Sequence, residues 1–155
     1  MASIVRRART EDLDAIVRLW REMWDYHARF DPHFQATPAA ETVMAGWIEE
    51  NMSAPRSAVL VAEGEPGRLE GYCLAMILEN PPVLPHQFFG YVSEISVSEK
   101  RKGIGGDLLR AAHAWFRERG VPYAEVNVSV RNEAARAFWR RQGYGEFLER
   151  LRIEL

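Results

Sequence analysis

The sequence predicts one α/β domain in which strands and helices alternate over 155 residues. This length is typical of a single domain and allows a sizeable core. Residues 124–130 alternate apolar and polar side chains with a period of two, as in a strand, and residues 91–97 form a second strand-like run. Residues 13–27 instead repeat apolar side chains at helical spacing. The predicted element order is β-α-α-β-β-β-α-β-α-β.

The N-terminal elements begin with an edge strand over residues 4–9. Thr10 is predicted to cap a long helix that ends near Phe30, before an Asp-Pro pair, with acidic residues favouring its positive end. A second, shorter helix is expected from about Ala40 to Met52, because apolar side chains recur on one of its faces.

The middle of the chain contains a predicted hairpin, with two strands joined around the turn Glu65-Pro66-Gly67. A Pro-rich loop then leads to the strand over residues 91–97. The two strands at 91–97 and 123–130 flank a helix, and the right-handed crossover rule makes them parallel neighbours.

Composition excludes several functional classes. The chain is 47% hydrophobic and 27% charged, with a net charge of −2, which argues against nucleic-acid binding. We expect no membrane span and no signal peptide, and hence a cytoplasmic protein. Cys73 is the only cysteine and the histidines lack metal-ligand spacing, so neither a disulfide nor a metal site is expected.

The run from Lys100 to Gly106 has the features of a phosphate-binding loop. It joins a predicted strand to a helix N-terminus, where backbone N–H groups converge at the positive end of the helix dipole. Glycines there let an anion approach the backbone closely. The spacing fits neither the P-loop nor the GxGxxG dinucleotide motif, because Leu108 stands where the third glycine would be. A simple turn before a helix is the alternative.

This loop resembles the [R/Q]xxGx[G/A] motif of the GNAT superfamily of N-acetyltransferases, with Lys100 in place of Arg or Gln. A second motif follows about thirty residues later: Asn132, Ala135, the aromatic residue Phe138, and Gly143 before Tyr144. This order is similar to the Asn-x-x-Ala, aromatic pair and Gly-aromatic pattern of the same family. The resemblance covers residues 91–144.

The resemblance implies a fold and a cosubstrate. The fold is a central mixed, mostly antiparallel sheet with a splayed parallel strand pair and flanking helices. The cosubstrate is acetyl-CoA, whose pantetheine arm enters between the splayed strands. The residues implied to bind it are Ile95, Val97, Arg101, Lys102, Gly103, Ile104, Gly105, Gly106, Asn132 and Phe138. For Asn132, helix capping is an equally good interpretation.

The implied chemistry is transfer of an acetyl group to an amine, which must lose a proton to attack. Glu94 is the candidate base, since many members carry an acidic residue on this strand. We expect it on the opposite strand face from Tyr91 and Ile95. An exposed structural glutamate is the alternative. Tyr91, Ser93 and Ser96 are weaker candidates for positioning water.

One position departs from the family pattern. Many members have a tyrosine after Phe138 that protonates the leaving CoA thiolate, whereas this chain has Trp139. An indole cannot act as an acid near neutral pH. We therefore expect Trp139 to be structural, forming a wall of the cleft.

The acceptor is expected on the side of the first two helices, as the resemblance implies. Aromatic density there suggests a small or partly apolar amine. The candidate acceptor-binding residues are Tyr26, His27, Phe30, Phe88 and Tyr91.

Three questions stay open at this point. The acceptor is a small-molecule or peptide amine of unknown identity, and the acyl group transferred could be longer than acetyl. A non-catalytic acyl-CoA-binding sensor is the rival class, favoured by Trp139 and opposed by Glu94. A homodimer is expected because the predicted final strand, residues 147–155, has an apolar face near a sheet edge.

Overall fold

The computed structural model describes residues 2–100 and 102–155. Within these residues, one sheet has the strand order β1-β2-β3-β4-β5. The strands are β1 (Ile4–Arg7), β2 (Ser57–Glu63), β3 (Leu69–Glu79), β4 (Phe88–Val97) and β5 (Ala124–Glu125). The first four pair in antiparallel fashion and β5 is parallel to β4. The predicted mixed, mostly antiparallel sheet is confirmed.

Four α-helices flank the sheet in the described part of the chain. They are α1 (Leu13–Ala28), α2 (Ala40–Ser53), α3 (Ile104–Glu118) and α4 (Glu133–Arg141). None of the described helices is both long and apolar enough to cross a membrane.

The helices bury their apolar faces against opposite sides of the sheet. The α1-side core contains Ile16 and Trp20 from α1, Ile48 from α2, and Tyr72 from β3. The α3-side core contains Leu108 and Trp115 of α3 and Trp139 of α4, packed on β2, β3 and β4. Alternate side chains of each central strand therefore enter different cores.

The start of the first helix differs from the prediction that Thr10 caps it. Thr10 instead begins a 3₁₀ turn, Thr10–Asp12, and α1 follows at Leu13. The Asp12 carboxylate accepts a hydrogen bond from the Arg9 amide at 2.7 Å and also binds the Arg6 guanidinium at 2.7 Å. A buried carboxylate with two donors here takes the place of the predicted threonine cap.

Local turn signals in the sequence match the structure. Gly67 adopts φ +79° in the hairpin turn between β2 and β3, where glycine has no steric cost. Asn132 caps α4 by accepting a hydrogen bond from the Ala135 amide at 3.1 Å. Gly143 adopts φ +93° just after that helix, as expected of a C′ residue.

Two predicted strands are wrong in extent. Only Ala124–Glu125 of the predicted strand over 124–130 pairs with a neighbour. Residues 147–155 form no strand, and every residue of segment 145–155 is exposed. The physical reason is the same in both cases: a strand needs a partner for its backbone groups, and the described residues provide none there.

Candidate active site

A cleft opens where β4 and β5 separate. The two strands pair only at Gly90–Ala124 and Tyr91–Glu125. Beyond these pairs, residues 92–97 and 126–130 share no ladder in the described part of the chain. This splayed parallel pair leaves backbone groups of both segments available to a ligand.

A β-bulge in β4 sets the orientation of the residues that line the cleft. Leu74 pairs with Glu94, whereas Ala75 pairs with Val92, so Ser93 is the additional residue on β4. Tyr91 pairs with Met76, which packs on the α1-side core together with Leu74. Because paired residues share a sheet face, Tyr91 and Glu94 lie on the same face. The predicted opposite orientation is wrong for Tyr91, since the extra residue reverses the alternation, and correct for Ile95, which packs on the α3-side core.

Tyr72 holds the Glu94 side chain in place. The fully buried Tyr72 hydroxyl donates a hydrogen bond to Glu94 Oε2 at 2.7 Å. Burial raises the pKa of the Glu94 carboxyl above its usual range, while the bond from Tyr72 opposes that rise. A carboxylate whose pKa is moved toward neutrality is a better general base than an exposed glutamate.

The weaker polar candidates have different surroundings. Tyr91 accepts a hydrogen bond from Asn127 Nδ2 at 3.0 Å, which joins the two sides of the cleft. Burial raises the pKa of Tyr91. Ser96 is buried and donates to the Leu19 carbonyl at 2.9 Å, so its hydroxyl fastens β4 to α1.

The glycine loop leads directly into α3. Gly103 has φ +79° and accepts the first helical hydrogen bond, from the Asp107 amide at 3.0 Å. The amides of Ile104, Gly105 and Gly106 precede that bond and have no acceptor within the helix. These amides and the positive helix end can bind an anion such as a phosphate.

Gly105 lies close to both sides of the cleft. A Cβ built at this position would be 3.4 Å from the Phe138 ring and 3.9 Å from Val97 Cγ1. The structure thus brings together Val97, Gly105 and Phe138, which the family resemblance implied as acetyl-CoA contacts. Ile95 and Val97 both pack against the α3-side core.

The basic side chains near the loop have different contacts. Lys102 is exposed and forms an ion pair with Glu99 at 2.6 Å. The Nζ of Lys100 lies 3.8 Å from the centre of the Tyr26 ring at the end of α1. Arg101, also predicted to bind acetyl-CoA, lies outside the described residues.

Asn132 and Trp139 are buried on the other side of the cleft. Asn132 is 4% exposed, and its side-chain oxygen caps α4. Trp139 is 6% exposed in the α3-side core, with its ring in edge contact with those of Phe138 and Tyr144. This burial agrees with the structural role expected of Trp139. The indole is, however, part of the core, whereas it was expected to form a wall of the cleft.

Three of the five acceptor-side candidates gather at the end of α1, whereas Phe88 and Tyr91 lie on β4. The Tyr26 and Phe30 rings meet edge-on at 5.0 Å, and His27 Nδ1 bonds the Met23 carbonyl at 2.8 Å. Phe88 instead packs beneath the Arg56 guanidinium at the start of β4. It lies about 20 Å along the strand from Glu94 at the usual rise per residue, so the structure does not place it in this group.

The end of α1 is held at the cleft by contacts that could not be predicted from the sequence. Arg131 Nη1 donates to the Phe30 carbonyl at 2.6 Å, and Arg152 pairs with Asp31 at 2.8 Å. The hydrogen bonds of Tyr72 with Glu94 and of Asn127 with Tyr91 were also not predicted. Strand register and helix placement create these contacts, and no spacing within the sequence indicates them.

Metal binding has no structural support in the described residues, where no three His, Cys, Asp or Glu side chains group together as metal ligands. The polar groups of the cleft include the carboxylates of Glu94 and Glu125, the Tyr91 hydroxyl, the Asn127 side-chain amide and backbone amides. This set can bind an anion and accept a proton.

Comparison with known proteins identifies the fold and the family. Residues 13–144 match the model of the acetyltransferase (GNAT) family. A tetramutant of the BH1408 protein from Bacillus halodurans has a similar structure, with a TM-score of 0.87, 22% identity, and coverage of 98% of this chain and 99% of that one.

Two further solved structures share the fold. The aminoglycoside N-acetyltransferase AAC(6')-Iy, in complex with CoA, gives a TM-score of 0.80 at 16% identity and covers 99% of this chain and 94% of that one. A GCN5-related N-acetyltransferase from Ralstonia eutropha JMP134 gives 0.77 at 22% identity, with 98% of each chain covered.

Proposed function

The chain belongs to the GNAT family of acetyltransferases, and on that basis we propose that it transfers an acetyl group from acetyl-CoA to a primary amine. One observation carries the proposal: the cleft between β4 and β5 has helix N-terminal amides without a helical acceptor at its end and the half-buried Glu94 carboxylate in its wall. An amine acetyltransferase needs both, a site for the CoA phosphates and a proton acceptor beside the reacting amine.

Acetyl-CoA binding is assigned to the loop and to the splayed strands. The amides of Ile104, Gly105 and Gly106 would hold the pyrophosphate at the start of α3. The open edge of β4 beyond Tyr91 would receive the amide groups of the pantetheine arm. Phe138 beside Gly105 would cover the arm from the α4 side.

Glu94 is assigned as the base. A lysine-like amine has a pKa near 10 and is mostly protonated at neutral pH. The carboxylate takes up one proton from the ammonium, directly or through a water. The neutral nitrogen then attacks the thioester carbonyl, a C–N bond forms, the C–S bond breaks, and CoA leaves as a thiolate. The second proton of the attacking nitrogen passes to solvent as the amide forms.

The leaving thiolate needs no dedicated acid in this proposal. By the cysteine reference, a CoA thiol has a pKa of about 8.5, so the thiolate is a tolerable leaving group near neutral pH. The tyrosine that many relatives use is replaced by the buried Trp139, which cannot donate a proton.

The acceptor is proposed to be a small-molecule or peptide amine with some apolar character. The aromatic residues Tyr26 and Phe30 stand at the α1 end, on the sheet side that also presents Tyr91 and Glu94. One similar structure is an aminoglycoside acetyltransferase, so amino sugars belong in a screen together with polyamines, amino acids and peptide N-termini.

The test is release of free thiol from acetyl-CoA in the presence of each amine class. With an active amine, Glu94→Gln should lower kcat roughly 10²–10⁴-fold and leave acetyl-CoA affinity nearly unchanged. The control is Glu79→Gln, an exposed glutamate at the end of β3, which should behave like the wild type. Equal kcat values for Glu94→Gln and the wild type would refute the base assignment.

The sensor alternative has one observation in its favour, the absence of the family's tyrosine acid. It expects acetyl-CoA binding by calorimetry with no thiol release for any amine. Transfer of a longer acyl group is tested in the same assay, by comparing kcat/KM for acetyl-, propionyl- and succinyl-CoA.

A further inference from the structure

A second concave site lies at the opposite end of β4 from the glycine loop. Its cavity has a volume of about 440 Å³, within the roughly 300–1,000 Å³ of small-ligand sites. Arg56, residues 85–88 and residues 119–122 line it together with Ile77 of β3. Because the start of β4 lies about 20 Å along the strand from Glu94 at the usual rise per residue, this cavity is separate from the candidate active site.

Part of the cavity lining is apolar. Ile77 and Val121 are partly buried and pack on the α3-side core. Pro85 and Pro122 line the same cavity and are exposed. These four side chains offer a surface for the hydrocarbon part of a ligand.

Arg119 brings a positive charge to the cavity without a carboxylate partner in the described part of the chain. Its Nη1 donates a hydrogen bond to the Pro55 carbonyl at 2.8 Å, and its guanidinium carbon lies 5.3 Å from the centre of the Trp115 ring. These contacts hold the guanidinium in place. Most of its five N–H donors have no other partner among the described residues, so they can bind the oxygens of an anion.

Arg56 supplies a second guanidinium to the same cavity. It forms an ion pair with Glu79 at 2.6 Å, and its guanidinium carbon lies 4.7 Å from the centre of the Phe88 ring. Glu79 balances the charge of Arg56. With His86 counted as neutral, the charge of Arg119 is the one left over at the cavity.

A third arginine makes this unbalanced charge costly. The guanidinium carbon of Arg7 lies 5.7 Å from the centre of the same Trp115 ring. Burial lowers the pKa of Arg7, and the like charge of Arg119 lowers it further, while Glu118 opposes both. An anion bound at Arg119 would reduce the repulsion between the two arginines.

The end of α3 does not oppose an anion here. Helix carbonyls at a C-terminus carry partial negative charge and ordinarily disfavour one. The carbonyls of Trp115, Phe116 and Arg117 accept hydrogen bonds from the backbone amides of residues 119–121. Their charge is thereby compensated within the protein.

We propose that this cavity binds a small monocarboxylate with an apolar body. Arg119 and Arg56 would bind the carboxylate, and Ile77, Val121 and the two prolines would cover the apolar part. One surplus positive charge matches a monoanion, whereas a phosphate dianion would leave a negative excess close to Glu79. The inference does not depend on the proposed acetyl transfer.

The test is a titration of ¹⁵N-labelled protein with benzoate, an aromatic monocarboxylate, followed by amide chemical shifts. Benzoate should shift the amides of Gln87, Gly120 and Val121, and saturating acetyl-CoA should leave those shifts in place. Arg119→Gln should weaken benzoate binding about tenfold, through the loss of charge-assisted hydrogen bonds. The matched control is Arg117→Gln, an exposed arginine of α3 outside the cavity lining, which should bind like the wild type.

Two further probes define the class of ligand. Benzamide has the same ring without the charge, and inorganic phosphate has the charge without the apolar body. Both should bind more weakly than benzoate. If Arg119→Gln does not fold, Arg56→Gln decides instead, since it removes the second guanidinium and leaves Glu79 unpaired, and it should weaken benzoate binding at least as much.

Four results would overturn the proposal. They are an absence of benzoate shifts around the cavity at millimolar concentration, shifts confined to the glycine loop at residues 103–106, benzamide or phosphate binding as tightly as benzoate, or an unchanged benzoate affinity in the folded arginine variant. None of these outcomes bears on acetyl-CoA binding or on Glu94, so failure here and failure of the proposed function are distinguishable.

Discussion

At the residue scale, Glu94 shows how burial and a single hydrogen bond compete. Removal from water disfavours the carboxylate and raises its pKa, and the Tyr72 hydroxyl stabilises the same charge from 2.7 Å away. Glu94 in turn raises the pKa of Tyr72 further, after burial itself. The pair places the carboxyl of the proposed base in a partly apolar wall, with one oxygen held by the protein.

Replacing Tyr72 with phenylalanine should move the acidic limb of the pH–rate profile. Without the donated hydrogen bond the carboxylate is less stable, so the pKa of Glu94 should rise further. The base would then be protonated, and activity lost, at a higher pH than in the wild type. The measurement is kcat/KM against pH, with acetyl-CoA affinity expected to stay constant.

The control for this change is Tyr123→Phe, which removes a hydroxyl bonded to Asn80 instead. It should leave the profile in place. If Tyr72→Phe lowers the rate equally at all pH values, then Tyr72 supports only the packing of the core.

Trp139 is the opposite case. It occupies the position at which many family members carry the tyrosine acid, and its side chain has no polar role there. It is 6% exposed and packs between Phe138 and Tyr144. Trp139→Tyr should lower the free energy of unfolding by about 2 kcal/mol, because a smaller ring leaves a cavity and its hydroxyl needs a partner. It should give no increase in kcat.

Comparison with Trp139→Phe separates packing from acidity, since both rings are smaller than indole and only tyrosine can donate a proton. Urea unfolding and steady-state kinetics on both variants are sufficient. A large gain in kcat confined to Trp139→Tyr, with a new basic limb near pH 10, would show that the acid position faces the reaction after all.

At the scale of elements, the junction of β4 and α3 is the proposed site of anion binding. Gly105→Ala should weaken acetyl-CoA binding while the fold stays intact. The added Cβ would be in ordinary contact with Phe138 at 3.4 Å, but it would occupy the space in front of the amides that should face the pyrophosphate. A drop of about tenfold or more corresponds to the loss of one charge-assisted hydrogen bond.

Gly46→Ala is the matched control, because Gly46 lies within α2 and a Cβ there would meet nothing within 4 Å. It should leave affinity unchanged and slightly raise stability. Calorimetric titration of both variants with acetyl-CoA gives the answer, and equal affinities would contradict the loop assignment.

The elements predicted correctly are those specified by local signals. Helix α2, the turn at Gly67, the Asn132 cap and the glycine loop each depend on residues within one or two turns of chain. Short-range preferences for backbone conformation suffice for such features.

The features that were missed depend on pairing between distant residues. A period-two pattern predicted strands at 124–130 and 147–155, but it cannot supply the neighbouring strand that makes them part of a sheet. The bulge at Ser93 likewise arises from register with β3, and it moves Tyr91 to the face of Glu94. Tyr72 could not be predicted as the hydrogen-bond partner of Glu94 for the same reason.

At the scale of the whole molecule, the two sides of the sheet have different roles in the proposed reaction. The α3 side carries the loop proposed to bind the pyrophosphate and the larger core, and the α1 side carries Glu94 and the aromatic candidates for the acceptor. The reaction therefore needs α1 to be fixed relative to the sheet. The Ser96–Leu19 bond does this at the centre, and the Arg6–Asp12 pair does it at the start of the helix.

The Arg6–Asp12 pair supplies a test of that attachment. Arg6 on β1 makes two bonds to the Asp12 carboxylate, at 2.7 and 3.0 Å, and a third to Glu63 on β2 at 2.9 Å. The Arg6 side chain holds the pKa of Asp12 below its ordinary value. A carboxyl whose folded-state pKa is lowered stabilises the protein above its unfolded pKa, and this contribution is lost as pH falls through the folded value.

Asp12→Asn should therefore lower the free energy of unfolding by about 2 kcal/mol at pH 7, since it removes a charge-assisted pair. The difference from the wild type should begin to shrink below about pH 4, where the unfolded carboxyl takes up a proton, and should be lost as the pH falls through the lowered pKa of folded Asp12. Urea unfolding at a series of pH values measures this, with the exposed neighbour Glu11→Gln as the control. A stability difference independent of pH would mean that Asp12 acts only through its bond to the Arg9 amide, and that the ion pair does not hold α1 in place.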